Sequence, residues 1–130
     1  VMLEEKIVFV YGTLKTGMRN HSVMKRIKGE FQFPAETVRL YPMFDLGNGF
    51  PYLQDTKHTG HIIQGEVFKV PGKSMKELDY FEGVPDLYKK GMIEVEFEGN
   101  VIEANCYFIT DELDRGELEQ VKFFSEWLED

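Results

Sequence analysis

The sequence predicts an α+β fold: a single domain, residues 1–130, with a mixed or mostly antiparallel sheet that can close into a small β-barrel and a few short helices. Three observations predict it. Gly91 to Val101 alternates strictly, with Ile93, Val95 and Phe97 on one side and Glu94, Glu96 and Glu98 on the other. Gly99-Asn100 then signals a hairpin into a returning strand that runs to about Thr110. Helical spacing is confined to short stretches, and no repeat, linker or composition shift divides the chain.

The elements follow in order. Lys6 to Val10 is a strand by composition (Ile7, Val8, Phe9, Val10), and Tyr11-Gly12-Thr13-Leu14-Lys15-Thr16-Gly17 breaks it. His21 to Lys28 places Val23, Met24 and Ile27 at helical spacing, and Gly29 stops that helix. Phe31 to Tyr41 is extended, with an interruption at Pro34. Pro42 to Pro51 is a loop with Gly47-Asn48-Gly49 at its tip, and His61 to Val70 is a long strand bounded by Pro71-Gly72. Ser74-Met75-Lys76-Glu77 has the form of a capping box and opens a helix that Gly83 and Pro85 close. Leu118, Val121, Phe124 and Leu128 predict an amphipathic C-terminal helix.

Composition limits the partners. Hydrophobic residues are 42% and aromatics 14% of 130 residues, enough for a core and incompatible with a disordered chain. No apolar run approaches the roughly 18 residues of a membrane span. The opening residues lack a basic segment leading into an apolar run, so no signal peptide is expected. Fifteen basic against 23 acidic residues give a net charge of −8, and the densest basic patch is only Lys25-Arg26-Ile27-Lys28. Nucleic acid and membrane are therefore not expected as partners. No coiled-coil or interface signal is present, and a monomer is expected. Cys106 is the only cysteine, which fits a reducing, cytoplasmic setting; on the alternating face Ile102, Ala104, Cys106, Phe108 it reads as a small buried residue.

Two places can carry chemistry. The first is the break after the opening strand. Its glycines free the backbone to expose consecutive N–H groups, which suit an anion or a developing oxyanion. The spacing of Gly12 and Gly17 does not make a nucleotide loop, because Met18 and Arg19 stand where Lys and Ser or Thr are needed. A connection that binds nothing is the alternative. The second is Glu82, seven positions after Met75 and four after Leu78, so it projects from the apolar stripe of its helix. In the last turn the helix dipole disfavours a carboxylate, and burial would disfavour it further; both raise its pKa toward the range of a general base. A frayed helix end with Glu82 in water is the competing reading. Asp79, one turn earlier, reads as a solvated surface residue, and Glu66 as a strand carboxylate paired with a lysine. His58 and His61 have no companions to complete a metal site, and His21 reads as a cap or loop anchor. Tyr11, Tyr41, Phe44, Phe50, Tyr52, Tyr80, Tyr88 and Tyr107 lie near loops or strand ends; most read as core, and some could wall a small-molecule pocket.

Tyr11-Gly12-Thr13-Leu14 directly after the first strand, with Leu78-Asp79-Tyr80-Phe81-Glu82-Gly83 some seventy residues later, resembles the gamma-glutamyl cyclotransferase-like family. Asn20-His21, Pro51-Tyr52-Leu53, Gly65-Glu66-Val67 and Leu87-Tyr88 extend the resemblance over most of the chain. The Thr13-Leu14 form of the loop is most similar to the gamma-glutamylamine cyclotransferase branch. The resemblance implies a small barrel with a pocket at its mouth and a reaction without metal or cofactor. The small-molecule partner it implies is a gamma-glutamyl amine, cleaved to 5-oxoproline and free amine. It also implies that Glu82 is the catalytic glutamate and that Tyr11, Gly12, Thr13 and Leu14 bind substrate. One departure stands out: Lys90 occupies the position, two after Tyr88, where the family often has Arg. A sibling enzyme acting on gamma-glutamyl amino acids, glutathione or a carrier-bound group, a binding module without turnover, and a plain interaction domain are the other readings.

Overall fold

The computed structural model describes residues 4–129; the readings of residues 1–3 and 130 lie outside the described residues. The opening apolar run is strand β1 (Glu5–Val10), and it is covered on both faces, which accounts for its unbroken hydrophobic sequence. Phe9 points into the barrel with Ala35, Ile63, Val67, Ile93, Val95, Ala104, Cys106 and Phe108. Val8 and Val10 point outward onto Val23, Met24, Met75 and Leu78.

Four further long strands complete the barrel. They are β2 (Glu30–Tyr41), β5 (His61–Pro71), β6 (Tyr88–Phe97) and β7 (Asn100–Ile109), with a separate pair, β3 (Met43–Phe44) and β4 (Tyr52–Leu53), beside them. The closed order is β1-β5-β2-β6-β7. All neighbours are antiparallel except the closing pair, where β7 runs parallel to β1 at Val8 and Asn105. Asn105 Nδ2 also donates to the Ile7 carbonyl across that seam (3.0 Å). Gly65 makes room for the interior: a Cβ there would lie 2.5 Å from the Val10 carbonyl oxygen and 2.6 Å from the Phe9 ring.

The helices are α1 (His21–Arg26), α2 (Met75–Glu82) and a single turn, α3 (Arg115–Leu118). Among the described residues no helix is long and apolar enough to cross a membrane. The hairpin between β6 and β7 turns on Glu98 (φ 50°) and Gly99 (φ 82°), the conformation that matches strand twist. Cys106 is fully buried inside the barrel, as its alternating strand predicts.

Three expectations need correction. Pro34 does not interrupt its strand: β2 runs through it opposite Glu66, with register shifts on either side. The Ser74 capping box does not form. A 3-10 turn, Gly72–Ser74, feeds directly into α2, so Ser74 is already helical and makes no side-chain cap. A complete capping box occurs instead at Asp114 and Glu117, opening α3 (2.8 and 3.0 Å). The C-terminal helix to Leu128 is also absent. Beyond α3 the chain runs as a strap, with Phe124 N–H on the Met43 carbonyl (2.9 Å) and the Ser125 carbonyl accepting from Gln64 N–H (2.8 Å). Val121 and Phe123 pack on the outer cluster, Phe124 and Trp127 on the barrel cluster, and Leu128 is exposed. Apolar residues that serve two different cores cannot share one helical stripe.

Gly65→Ala is expected to destabilise the chain by about 1–3 kcal/mol, because rigid backbone and a core ring must both yield. Gly99→Ala, at an open turn with positive φ, should cost about 1 kcal/mol. Denaturant unfolding of the two variants checks the order.

Candidate active site

The loop after β1 is folded on its own carbonyls. Lys15 N–H donates to the Gly12 carbonyl (3.1 Å), and Asn20 N–H to the Thr13 carbonyl (3.0 Å). Asn20 Nδ2 donates to Thr13 Oγ1 (3.0 Å), and His21 Nδ1 lies 2.9 Å from the Leu14 carbonyl. His21 is thus a loop anchor. Thr16 N–H donates to Glu66 Oε1 (2.7 Å), so Glu66 braces this loop and is not paired with a lysine. The N–H groups of Gly12, Thr13 and Leu14 donate to no acceptor among the described residues, and these residues line a cleft. Only Gly17 of the two glycines turns the chain with a positive φ (82°). Gly12 serves close approach: a Cβ there would stand 2.5 Å from Pro51 Cγ.

Glu82 is the last residue of α2. Gly83 follows in the left-handed conformation (φ 72°), and Val84 N–H reaches back to the Asp79 carbonyl (3.0 Å), which ends the helix cleanly. Frayed geometry is therefore excluded. Met75 and Leu78 on the same stripe are buried, so Glu82 is carried against the core, where it faces the same cleft as Gly12, Thr13 and Leu14. Burial pushes its pKa up to about 7. No cation or hydrogen-bond donor reaches its carboxylate among the described residues.

The cleft has a volume of about 110 Å³. That is well under the roughly 300 Å³ at which pockets enclose a drug-sized ligand, so it holds one end of a small molecule. Its walls include Phe9, Val10, Phe50, Pro51, Phe81, Tyr88 and Tyr107, and Phe50 and Phe81 form a partly exposed rim. Each tyrosine hydroxyl is fixed. Tyr11 donates to the Tyr107 carbonyl (2.6 Å), Tyr88 to the Pro51 carbonyl (3.2 Å) and Tyr107 to Asp79 Oδ1 (2.6 Å). Burial raises the pKa of all three above the ordinary phenol value, so they stay protonated.

All five residues singled out from the sequence, Tyr11, Gly12, Thr13, Leu14 and Glu82, meet in this one cleft. Tyr11 is nonetheless a tie between loop and barrel, since its ring lies in the barrel core and its hydroxyl is spent on Tyr107. Asp79 is not a solvated surface residue: it accepts from Tyr107 and from Lys90 Nζ (2.9 Å). Asn20 as a brace and Asp79 as an anchor were missed. Asp79 sits three residues before Glu82, on the same side of the helix, which is the signal that could have found it.

Comparison with known proteins shows the family. The family model described as "Gamma-glutamyl cyclotransferase, AIG2-like" matches residues 8–128. A gamma-glutamylaminecyclotransferase of Bos taurus is 36% identical over 107 residues, covering 79% of this chain and 64% of the relative. The protein of that name from Homo sapiens is 34% identical over 94 residues, covering 69% and 61%. The chain thus spans under two-thirds of the length of these relatives. Among solved structures, an AIG2-like protein of Mus musculus superposes with a TM-score of 0.86 at 26% identity, over 95% of this chain and 88% of that one.

A carboxylate that folding holds near pKa 7, against 4.5 for the free group, opposes folding once it ionises. The unfolded chain loses this proton first, so stability falls as pH rises from about 4.5 to 7 and stays lowered above. Glu82→Gln removes the effect. Thermal melts should therefore place the variant above wild type at pH 8, by roughly 1–3 kcal/mol, and bring the two closer at pH 4.

Proposed function

The chain belongs to the gamma-glutamyl cyclotransferase, AIG2-like family, and from that premise we propose that it is a gamma-glutamylamine cyclotransferase. It converts gamma-glutamyl amines, such as gamma-glutamyl-epsilon-lysine, to 5-oxoproline and the free amine. The observation that carries this reading is an unpaired carboxylate, raised by burial to about pKa 7, in one small cleft with loop residues whose amides have no other acceptor among the described residues.

The substrate supplies its own nucleophile. Its α-nitrogen attacks its own γ-carbonyl carbon, the new C–N bond closes a five-membered lactam, and the old C–N bond to the amine breaks. No water is consumed and no side chain is acylated. This suits a cleft whose one aliphatic hydroxyl, Thr13, is tied to Asn20, and a chain whose cysteine is buried in the barrel. Holding the two ends of the glutamyl group in reach of one another can supply up to roughly 7–11 kcal/mol of the barrier.

The proton balance needs one group that both takes and gives. Two protons leave the α-ammonium, and two arrive on the departing nitrogen, which leaves as an ammonium. Glu82 accepts one proton as the nucleophile forms and passes it to the leaving nitrogen, then carries the second from the α-nitrogen in the same way, ending as it began. A pKa of about 7 suits both steps at neutral pH. The Gly12, Thr13 and Leu14 amides hold the negative charge of the α-carboxylate or of the γ-oxyanion. The amine end lies outside the cleft along Phe50 and Phe81, whose rings suit an alkyl stem such as that of lysine.

The test is release of 5-oxoproline from gamma-glutamyl-epsilon-lysine, with a gamma-glutamyl amino acid and glutathione as competing substrates. The alkyl amine is expected to have the highest kcat/KM; a preference for glutathione would replace this reading with that of a sibling enzyme. Glu82→Gln should lower kcat at least about 100-fold. Because the base must be ionised, kcat/KM should climb with pH and level off above about 7.

A further inference from the structure

The cleft brings together loop residues Gly12, Thr13 and Leu14, whose N–H groups have no acceptor among the described residues, and Glu82 with three tyrosines. A tyrosine hydroxyl has one proton and two lone pairs, and the protons of Tyr11, Tyr88 and Tyr107 are all given to protein acceptors. What these hydroxyls have left for a ligand is lone pairs. An ammonium group is three donors and no acceptor, and it fits those lone pairs.

Tyr107 is the most firmly set of the three. Its proton goes to Asp79 at 2.6 Å, a short bond to a charged acceptor. Lys90 Nζ holds the other oxygen of Asp79 at 2.9 Å. Lys90 and Tyr107 are direct cross-strand partners on β6 and β7, and Asp79 is one turn before Glu82 on α2. The three side chains therefore tie the helix that carries Glu82 to strands β6 and β7.

We infer that Tyr107, oriented by Asp79 and Lys90, binds the α-amino group of the substrate through its hydroxyl oxygen and so aims the attacking nitrogen. Tyr107 touches substrate; Asp79 and Lys90 are positioning residues that act through it. Lys90 does here what a point charge does best. Its Nζ donates to Oδ2 of Asp79 while the Tyr107 hydroxyl donates to Oδ1. The inference rests on the reading of the ligand as a gamma-glutamyl amide.

The experiment separates the two. Calorimetry is run on Glu82→Gln protein, which reads binding without turnover, using gamma-glutamyl-epsilon-lysine and epsilon-glutaryl-lysine, identical except for the missing α-amino group. Adding Tyr107→Phe should weaken the amine-bearing ligand about tenfold and leave the glutaryl ligand unchanged. Lys90→Met, a half-exposed site that does not endanger folding, should act in the same sense by about threefold. A Tyr107→Phe or Lys90→Met change that weakens both ligands equally, or neither, overturns the amine contact, as does a Glu82→Gln protein that binds neither ligand. Wild-type turnover is read independently: failure to release 5-oxoproline counts against the cyclotransferase, while the ratio of the two affinities decides Tyr107.

Discussion

A carboxylate largely withdrawn from water with no cation beside it raises the free energy of the folded chain whenever it ionises. Glu82 is held in that condition by elements from three parts of the sequence. Met75 and Leu78 anchor its helix to the outside of the barrel, and Gly83 stops the helix one residue later. Tyr88 and Tyr107 wall the cleft that it faces. A lysine nearby would relieve the cost and abolish the chemistry. Lys90 is spent on Asp79, one turn earlier on the same helix, and Asp79 in turn holds the Tyr107 hydroxyl.

The rest of the site is arranged to divide donors from acceptors. The loop spends its carbonyls on Lys15, Asn20 and His21, and the amides of its cleft-lining residues Gly12, Thr13 and Leu14 have no acceptor among the described residues. In the same cleft three phenols, Tyr11, Tyr88 and Tyr107, give their protons to protein acceptors and leave oxygen lone pairs. A molecule with a carboxylate and an ammonium on one carbon is oriented by such a division before any reaction begins, and orientation is most of what a self-cyclising substrate requires.

Much of this was legible in the sequence, and the reasons are particular. β1, β6 and β7 declare themselves because a barrel strand has only two faces: Phe9 reads inward while Val8 and Val10 read outward, and Ile93 and Val95 alternate with glutamates. Glu82 declares itself by breaking an apolar stripe. Where the sequence misled, a tertiary contact had overridden a local rule. Ser74 and Glu77 have capping spacing, but the 3-10 turn ahead of them already supplies the helix start. Leu118, Val121, Phe124 and Leu128 have helical spacing, but open backbone groups at Met43 and Gln64 draw that segment into extended pairing. Asp79 looked solvated because its partners, Tyr107 and Lys90, lie on strands distant in sequence.

The strap that replaced the expected helix bears directly on the loop. Lys15 is buried, and its Nζ donates to the Trp127 carbonyl at 2.7 Å. Arg19 N–H donates to the Glu129 carboxylate at 2.8 Å. Both donors belong to the loop whose amides line the cleft, and both acceptors lie more than a hundred residues later. Burial lowers the pKa of Lys15, while the charges of Glu126, Glu66 and Glu129 hold it up. A lysine kept there is a costly way to fasten a loop, and it makes sense only if the loop must be fastened. A nest of three amides holds an anion well when its geometry is set beforehand. The strap contributes no group to the cleft, yet by gripping Lys15 and Arg19 it fixes the far end of the segment on which those amides depend.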